Sequence, residues 1–186
     1  MKEIVCLVEE PSMKAVLDAL LPRILPRDVK ITTIGHQGKN DLEKSVPRKL
    51  RAWANPEALF VVMRDNGGGD CSLLKGKLLS LCDGPRRSRS LVRIVCQELE
   101  SWFLGDLAAV DRSGLPGTGR LARDQGRKKF ADPDRLVNAK EELRKLVPAY
   151  YPESGAKAIA PHLAIEGNRS QSFVVFVAGV RNLLTN

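Results

Sequence analysis

Acidic side chains recur at one kind of place in this sequence, directly after short apolar runs. Glu9 and Glu10 follow "EIVCLV", and Asp65 ends "ALFVVMRD" with Asp70 just beyond three glycines. Glu98 and Glu100 follow "LVRIVCQ", with Asp106 further on, and His36 ends "VKITTIGH". Carboxylates gathered on one edge repel each other unless a cation lies between them. Mg²⁺ is a hard cation that takes oxygen ligands, keeps several waters and accepts phosphate oxygens. Such a site supports phosphoryl transfer or phosphodiester cleavage. The competing reading is that each acid caps the helix after it, because Asp and Glu favour helix N-termini. One acid is explained that way; Glu9, Asp65 and Glu98 together favour a site.

The stretch "VVMRDNGGGDC" (61–71) sharpens the choice. A Walker-type phosphate loop needs Lys-Ser or Lys-Thr directly after its last glycine. Asp70 and Cys71 stand there instead, so that loop is excluded. Lys75, one turn into the next helical stretch, is a candidate phosphate contact or simply a solvated lysine. Glu98, Trp102 and Asp106 share one helical stripe, and spacing alone does not choose between Glu98 and Glu100 as the group facing the site.

Positioning these acids requires a sheet. The runs 3–9, 29–36, 58–65 and 91–97 are short and rich in β-branched residues, and read as strands. Stretches 12–25, 40–53, 71–82 and 98–110 carry apolar residues at helical spacing. Ser12 is a candidate N-cap. Pro22 is expected to end or kink the first helix, and Pro47 to break the second. Four strand–helix alternations imply an α/β fold with a mainly parallel four-stranded sheet flanked by helices. In such sheets ligands bind outside the carboxyl ends of the strands. After residue 110 a loop rich in Gly and Pro leads to short helical segments near 118–130, 138–147, 155–163 and 170–184, with Asn138 and Ser170 as candidate N-caps. The expected division is an α/β domain over 1–110 and a helical C-terminal part, packed on it, over 111–186.

The totals bound the function. A chain of 186 residues with 43% apolar content suits one domain of ordinary size. Its net charge of +8 favours a polyanionic partner such as nucleic acid. Basic clusters lie at "GPRRSRS" (Arg86, Arg87, Arg89), at "RLARDQGRKK" (Lys128, Lys129) and at "PRKLR". Each is a candidate phosphate contact or a solvated face. The cysteines Cys6, Cys71, Cys82 and Cys96 form no C-x-x-C pair, so a zinc site has no support in spacing and a reduced, cytoplasmic setting is expected. The first residues lack signal-peptide architecture, and no stretch of about 20 apolar residues would span a membrane.

Taken together, "LVEEPSMKAVLDALLP", "RDNGGGDC" before a Lys-containing helix, "IVCQELESWFLGD" and "GAKAIAPHLAIEGNRSQSFVVFVAGVRNL" resemble the bacterial family known as domain of unknown function 4276. The resemblance covers nearly the whole chain. It implies a TOPRIM-like fold, shared by topoisomerases, primases and OLD-type nucleases. There a Glu ends the first strand and a D-x-D pair ends a later one, and these carboxylates bind Mg²⁺. Glu9 matches the first position and Asp65 the first acid of the pair. Two positions depart from the pattern: Glu10 replaces a Gly, and Gly67 replaces the second Asp, which shifts the expected metal ligands to Glu9, Asp65 and Asp70.

The resemblance thus implies a nuclease or phosphodiester-processing protein that uses Mg²⁺ or Mn²⁺. Glu98 or Glu100 would be its supporting acid or general base, Lys75 a phosphate contact, DNA its substrate and an AAA-type ATPase its partner in defence against foreign DNA. The alternative is an interaction subunit that keeps the fold and has lost metal competence at Gly67.

Overall fold

The structure, a computed structural model, describes residues 2–185. Four strands, β1 (Glu3–Val8), β2 (Lys30–Gly35), β3 (Leu59–Asp65) and β4 (Ser90–Val95), form one sheet in the order β2-β1-β3-β4. All three pairings are parallel, as expected from the strand–helix alternation. Val8 pairs with both Gly35 and Met63, and Asp65 pairs with Val95, so the carboxyl ends of the strands share one edge.

Helices α1 (Pro11–Ile24), α2 (Lys39–Ala52) and α3 (Cys71–Leu81) follow the first three strands. After β4 come α4 (Glu100–Leu104), α5 (Leu107–Arg112), α6 (Ala139–Leu146), α7 (Pro152–Ile159) and α8 (Gln171–Leu183), with short 3-10 turns between them. β1 is buried along its whole length, and its side chains alternate between two cores. Ile4, Cys6 and Val8 face a core that includes Leu17, Trp102, Leu143 and Phe173, from α1 and the helices after β4. Val5 and Leu7 face a smaller core with Leu42, Leu50 and Leu78 from α2 and α3. Among the described residues, no helix is long and apolar enough to cross a membrane.

Several local expectations are corrected. Pro47 does not break its helix, since α2 runs past it to Ala52, whereas α1 ends at Ile24, two residues after Pro22. A proline removes one helix hydrogen bond, and in α2 the burial of Leu42, Val46 and Leu50 around Pro47 offsets that loss. Ser12 lies inside α1 rather than at its cap, and its hydroxyl donates to Glu10 Oε2 at 3.2 Å. Ser170 does cap α8, accepting from the Phe173 amide at 3.2 Å. Asn138 stands at the cap position of α6 but makes no capping bond, and its backbone is left-handed with φ 60°.

The largest local difference is in 98–110, which forms two helices instead of one. A side chain at Gly105 would collide with Asn168 and the Ser170 amide, because that loop lies directly against the backbone here. Asn168 Nδ2 donates to the Trp102 carbonyl at 2.9 Å, and the Arg169 amide donates to the Gly105 carbonyl at 3.1 Å. Asp106 then starts α5, capping the Ala109 amide at 3.0 Å and binding the Ala164 amide at 2.8 Å. The stripe of Glu98, Trp102 and Asp106 therefore does not exist: Glu98 precedes α4 and Asp106 opens the following helix.

Candidate functional site

The strand order fixes where a site can form. From β1 the chain moves outward to β2 on one side, then crosses to β3 on the other. The carboxyl ends of β1 and β3 therefore flank the switch point, the usual ligand crevice of an open α/β sheet. Glu9 and Asp65 occupy those two ends. They are joined directly, because the Asp65 amide donates to Glu9 Oε2 at 3.1 Å. Arg64 backs the pair from the smaller core. Its Nε lies 3.6 Å from Glu9 Oε2 and donates to the Asp65 carbonyl at 3.1 Å, while Nη1 reaches Glu43 at 3.1 Å.

Asp65 is the less satisfied member. Oδ2 accepts a long bond of 3.3 Å from the Leu99 amide, and Oδ1 is buried without a partner. Burial, reinforced by the charges of Glu100, Glu10 and Glu9, holds its carboxyl well above the ordinary carboxylate range. Burial also raises Glu9, although Arg64 opposes it. Glu100 is 2% exposed, and burial raises it against the pull of Lys140 and a 2.8 Å hydrogen bond from the Tyr150 hydroxyl.

Lys140 is a further cation at this edge, in addition to Arg64, and sequence reasoning did not find it. Burial would lower its ammonium, but Glu100, Glu98, Glu10 and Asp65 together outweigh burial and hold it above the ordinary lysine range. Glu98 sets its position. The Glu98 carboxylate accepts from the Lys140 amide at 2.9 Å, acting as a remote N-cap for α6, and lies 3.8 Å from Nζ. Lys140 stands 42 residues from Glu98 in sequence, inside "NAKEEL", which has no local signature of a site.

The other sequence candidates fall in different places. Asp70 caps α3, accepting from the Leu73 amide at 2.8 Å. Lys75 lies on the exposed face of α3, beside a cavity it shares with Cys71, Cys96 and Arg93. Arg86, Arg87 and Arg89 precede β4 and so sit at the opposite, amino-terminal edge of the sheet. Arg86 is engaged there with the carbonyls of Trp53 and Asn55, each at 2.8 Å, and lies over the Phe60 ring. Arg89 pairs with Glu57 at 2.7 Å. Lys129 pairs with Glu142 of α6, and Lys128 is exposed beside it. His36, buried at the end of β2, bonds the Val8 carbonyl through Nδ1 at 2.9 Å and lines a cavity of about 720 Å³ with Glu10, Ser12 and Tyr151.

Among the described residues, no group of three or more His, Cys, Asp or Glu side chains is close enough to chelate a metal. The donors present are nonetheless of the kind a hard cation takes: oxygen only, with a buried, unpartnered Oδ1 at Asp65. Mg²⁺ is commonly held by one or two carboxylates, its remaining positions filled by water and phosphate. Glu9 and Asp65 fit that mode.

The sheet and this crevice define an open-sheet α/β domain with helices on both faces and carboxylates at the switch point. The chain belongs to the family described as "Domain of unknown function (DUF4276)", which matches residues 8–181. Its fold is similar to the C-terminal region of the OLD protein of Xanthomonas campestris pv. campestris, with 16% identity, a TM-score of 0.52, and coverage of 99% of this chain and 94% of that one. The corresponding region of the Burkholderia pseudomallei OLD protein gives 17% identity, a TM-score of 0.48, and coverage of 97% and 98%. No curated protein matches the chain.

Proposed function

We propose that this chain is a TOPRIM-like, nuclease-like protein that processes phosphodiester bonds with Mg²⁺ or Mn²⁺. The observation that carries the reading is the buried, unpartnered Asp65 Oδ1, set among the charges of Glu9, Glu10 and Glu100 at the switch point. A buried acceptor without a partner costs about 1–3 kcal/mol, and a cation there would remove that cost. Glu9 and Asp65 would hold the ion. A bound divalent cation supplies Lewis-acid polarisation of the phosphodiester and a water of lowered pKa.

The chain's own side chains do the rest. Lys140 presents a cation at the edge where a scissile phosphate would lie, and would neutralise charge developing on its oxygens. Glu98 orients Lys140, and Glu100, fixed by Tyr150, keeps that lysine protonated. DNA as substrate and an AAA-type ATPase as partner are carried over from the family resemblance. Lys128, exposed beside α6, and Lys129, paired with Glu142 of that helix, are candidate strand contacts. Arg86 and Arg89 are held in structural contacts at the far edge.

A second reading, an interaction subunit with an impaired site, is favoured by Gly67 standing where the resemblance calls for an acid. One experiment separates the two. Supercoiled plasmid is incubated with the chain and Mg²⁺ or Mn²⁺, comparing wild type with Glu9→Gln, Asp65→Asn and Lys140→Met. The nuclease reading expects nicking by wild type and a loss of at least about tenfold in each variant, or roughly 1.4 kcal/mol of barrier. Equal rates in all four proteins, or no nicking by any, would sink it.

A further inference from the structure

Cys71 and Cys96 form a second chemical feature of this edge, separate from the carboxylates. Cys71 is the first residue of α3, and Cys96 directly follows β4. Their Sγ atoms are 3.9 Å apart, and neither is in a disulfide. Cys6 and Cys82, by contrast, are buried in the two cores. Both Cys71 and Cys96 line a cavity of about 460 Å³, which gives a small reagent a route to them. Lys75, Arg93 and Arg135 also line it, facing Asp132 and Asp134.

The backbone on each side can yield. A disulfide needs its sulfurs near 2.05 Å, so the pair must approach by roughly 1.9 Å. Cys71 follows the loop of Gly67 and Gly68, both at positive φ and both with open space around them. Cys96 precedes Gln97, which is itself left-handed at φ 63°. Asn66 already ties these segments together. Its Oδ1 accepts from the Gln97 amide at 2.5 Å, and its Nδ2 donates to Cys71 Sγ at 3.3 Å.

We propose that Cys71 and Cys96 are a reversible thiol–disulfide modification site, closed by a small-molecule disulfide and fastening the Asp65 strand end to the strand end that carries Glu98. The Cys71 thiolate attacks one sulfur of glutathione disulfide, forming a mixed disulfide and releasing one glutathione. Cys96 loses its proton to water and attacks the Cys71 sulfur, releasing the second glutathione. Two protein thiols are oxidised, and one disulfide is reduced to two thiols. Cys71, at the first position of α3 and accepting from Asn66 Nδ2, is placed as the first nucleophile, and Cys96, 3.9 Å away, as the resolving one.

The test uses the full reduced chain and glutathione disulfide, with peptide mapping by mass spectrometry and amide hydrogen exchange. It does not depend on nuclease activity, so it stands or falls independently of the proposed function. Wild type is expected to lose two free thiols, to give a Cys71–Cys96 cross-linked peptide that dithiothreitol reverses, and to show several-fold slower exchange across 66–71 and 96–98 when oxidised. Cys96→Ser is expected to retain glutathione stably on Cys71, and Cys71→Ser to form no cross-link. A stable glutathione adduct on wild type, a cross-link through Cys6 or Cys82, or four unreacted thiols would each overturn the proposal.

Discussion

Replacing Asp65 by Asn tests the electrostatic account of the site without assuming any catalysis. In the folded chain the Asp65 carboxyl stands well above its ordinary range, chiefly through burial and then through Glu100, Glu10 and Glu9. The folded form thus holds a proton that the unfolded chain has already released. The stability this contributes is fully present below the unfolded value, near 4, and is lost as pH rises through the folded value. As pH rises through the folded value, wild type comes to carry a buried charge with one oxygen unpartnered, and Asn does not. Asn keeps the shape, can still accept from the Leu99 amide, and removes the charge that Glu100, Glu10 and Glu9 repel.

Removing an unsatisfied buried acceptor is worth about 1–3 kcal/mol. At the midpoint, about 2 kcal/mol, Tm rises by roughly 4–8 °C for a chain of this size. The assay is thermal unfolding followed by circular dichroism, at about pH 8 and about pH 5, with and without Mg²⁺. The expected gain is larger at the higher pH and shrinks as pH falls toward the range in which the folded chain keeps the Asp65 proton. Mg²⁺ at about ten times its Kd should stabilise wild type by about 1.4 kcal/mol and leave Asp65→Asn nearly unmoved. A lower Tm for Asp65→Asn at the higher pH, or a difference independent of pH, would refute the reasoning.

Other expectations follow from single contacts. Glu98→Ala removes the remote cap of α6 and should lower stability by about 0.5–2 kcal/mol, whereas Glu98→Gln, which keeps an acceptor for the Lys140 amide, should lose less; chemical denaturation measures both. Tyr150→Phe deprives buried Glu100 of its hydroxyl donor and should cost about 1–3 kcal/mol by the same measurement, more at high pH than at low. Gly67→Asp should fold with a cost on the order of 1 kcal/mol, because its φ of 54° is left-handed but open space surrounds it. If the site lacks only that acid, Gly67→Asp should also enlarge the Mg²⁺-induced rise in Tm.

The sheet was legible in the sequence because its strands are short, β-branched runs ending at polar residues, and the alternation with helices left a parallel sheet as the simple solution. Glu9 and Asp65 were legible for the same reason: an acid directly after a buried strand must emerge at its carboxyl end. What depends on contacts far along the chain was not legible. The break at Gly105 is imposed by Asn168 and Ser170, more than 60 residues away, and Lys140 is held at the site by the bond from its amide to Glu98, 42 residues away. The place of the basic run at 84–89 was hidden for a topological reason, since residues that enter a parallel strand lie at the opposite edge from those that leave it. Asp70 shows the ambiguity of one acid before a helix, where Oδ1 accepts from the Leu73 amide as a cap.

The helices after β4 do more than cover one face of the sheet, because they set the charge balance at the crevice. Trp102 anchors α4 to α8 by donating to Ser172 Oγ at 2.9 Å and packing against Phe173 and Phe176, each 5.1 Å between ring centroids. That anchor places Glu100 at the start of α4, inside the protein. Tyr150 can reach it because Gly155 has no side chain where the tyrosine ring lies. Lys140 then faces four carboxylates from three different strand ends. A sheet with Glu9 and Asp65 alone would gather negative charge at its switch point with no protein cation from these helices to balance it. With α6 in place, the same edge holds the Lys140 ammonium against Glu98, where it offsets the charge of Glu100, Glu10 and Asp65.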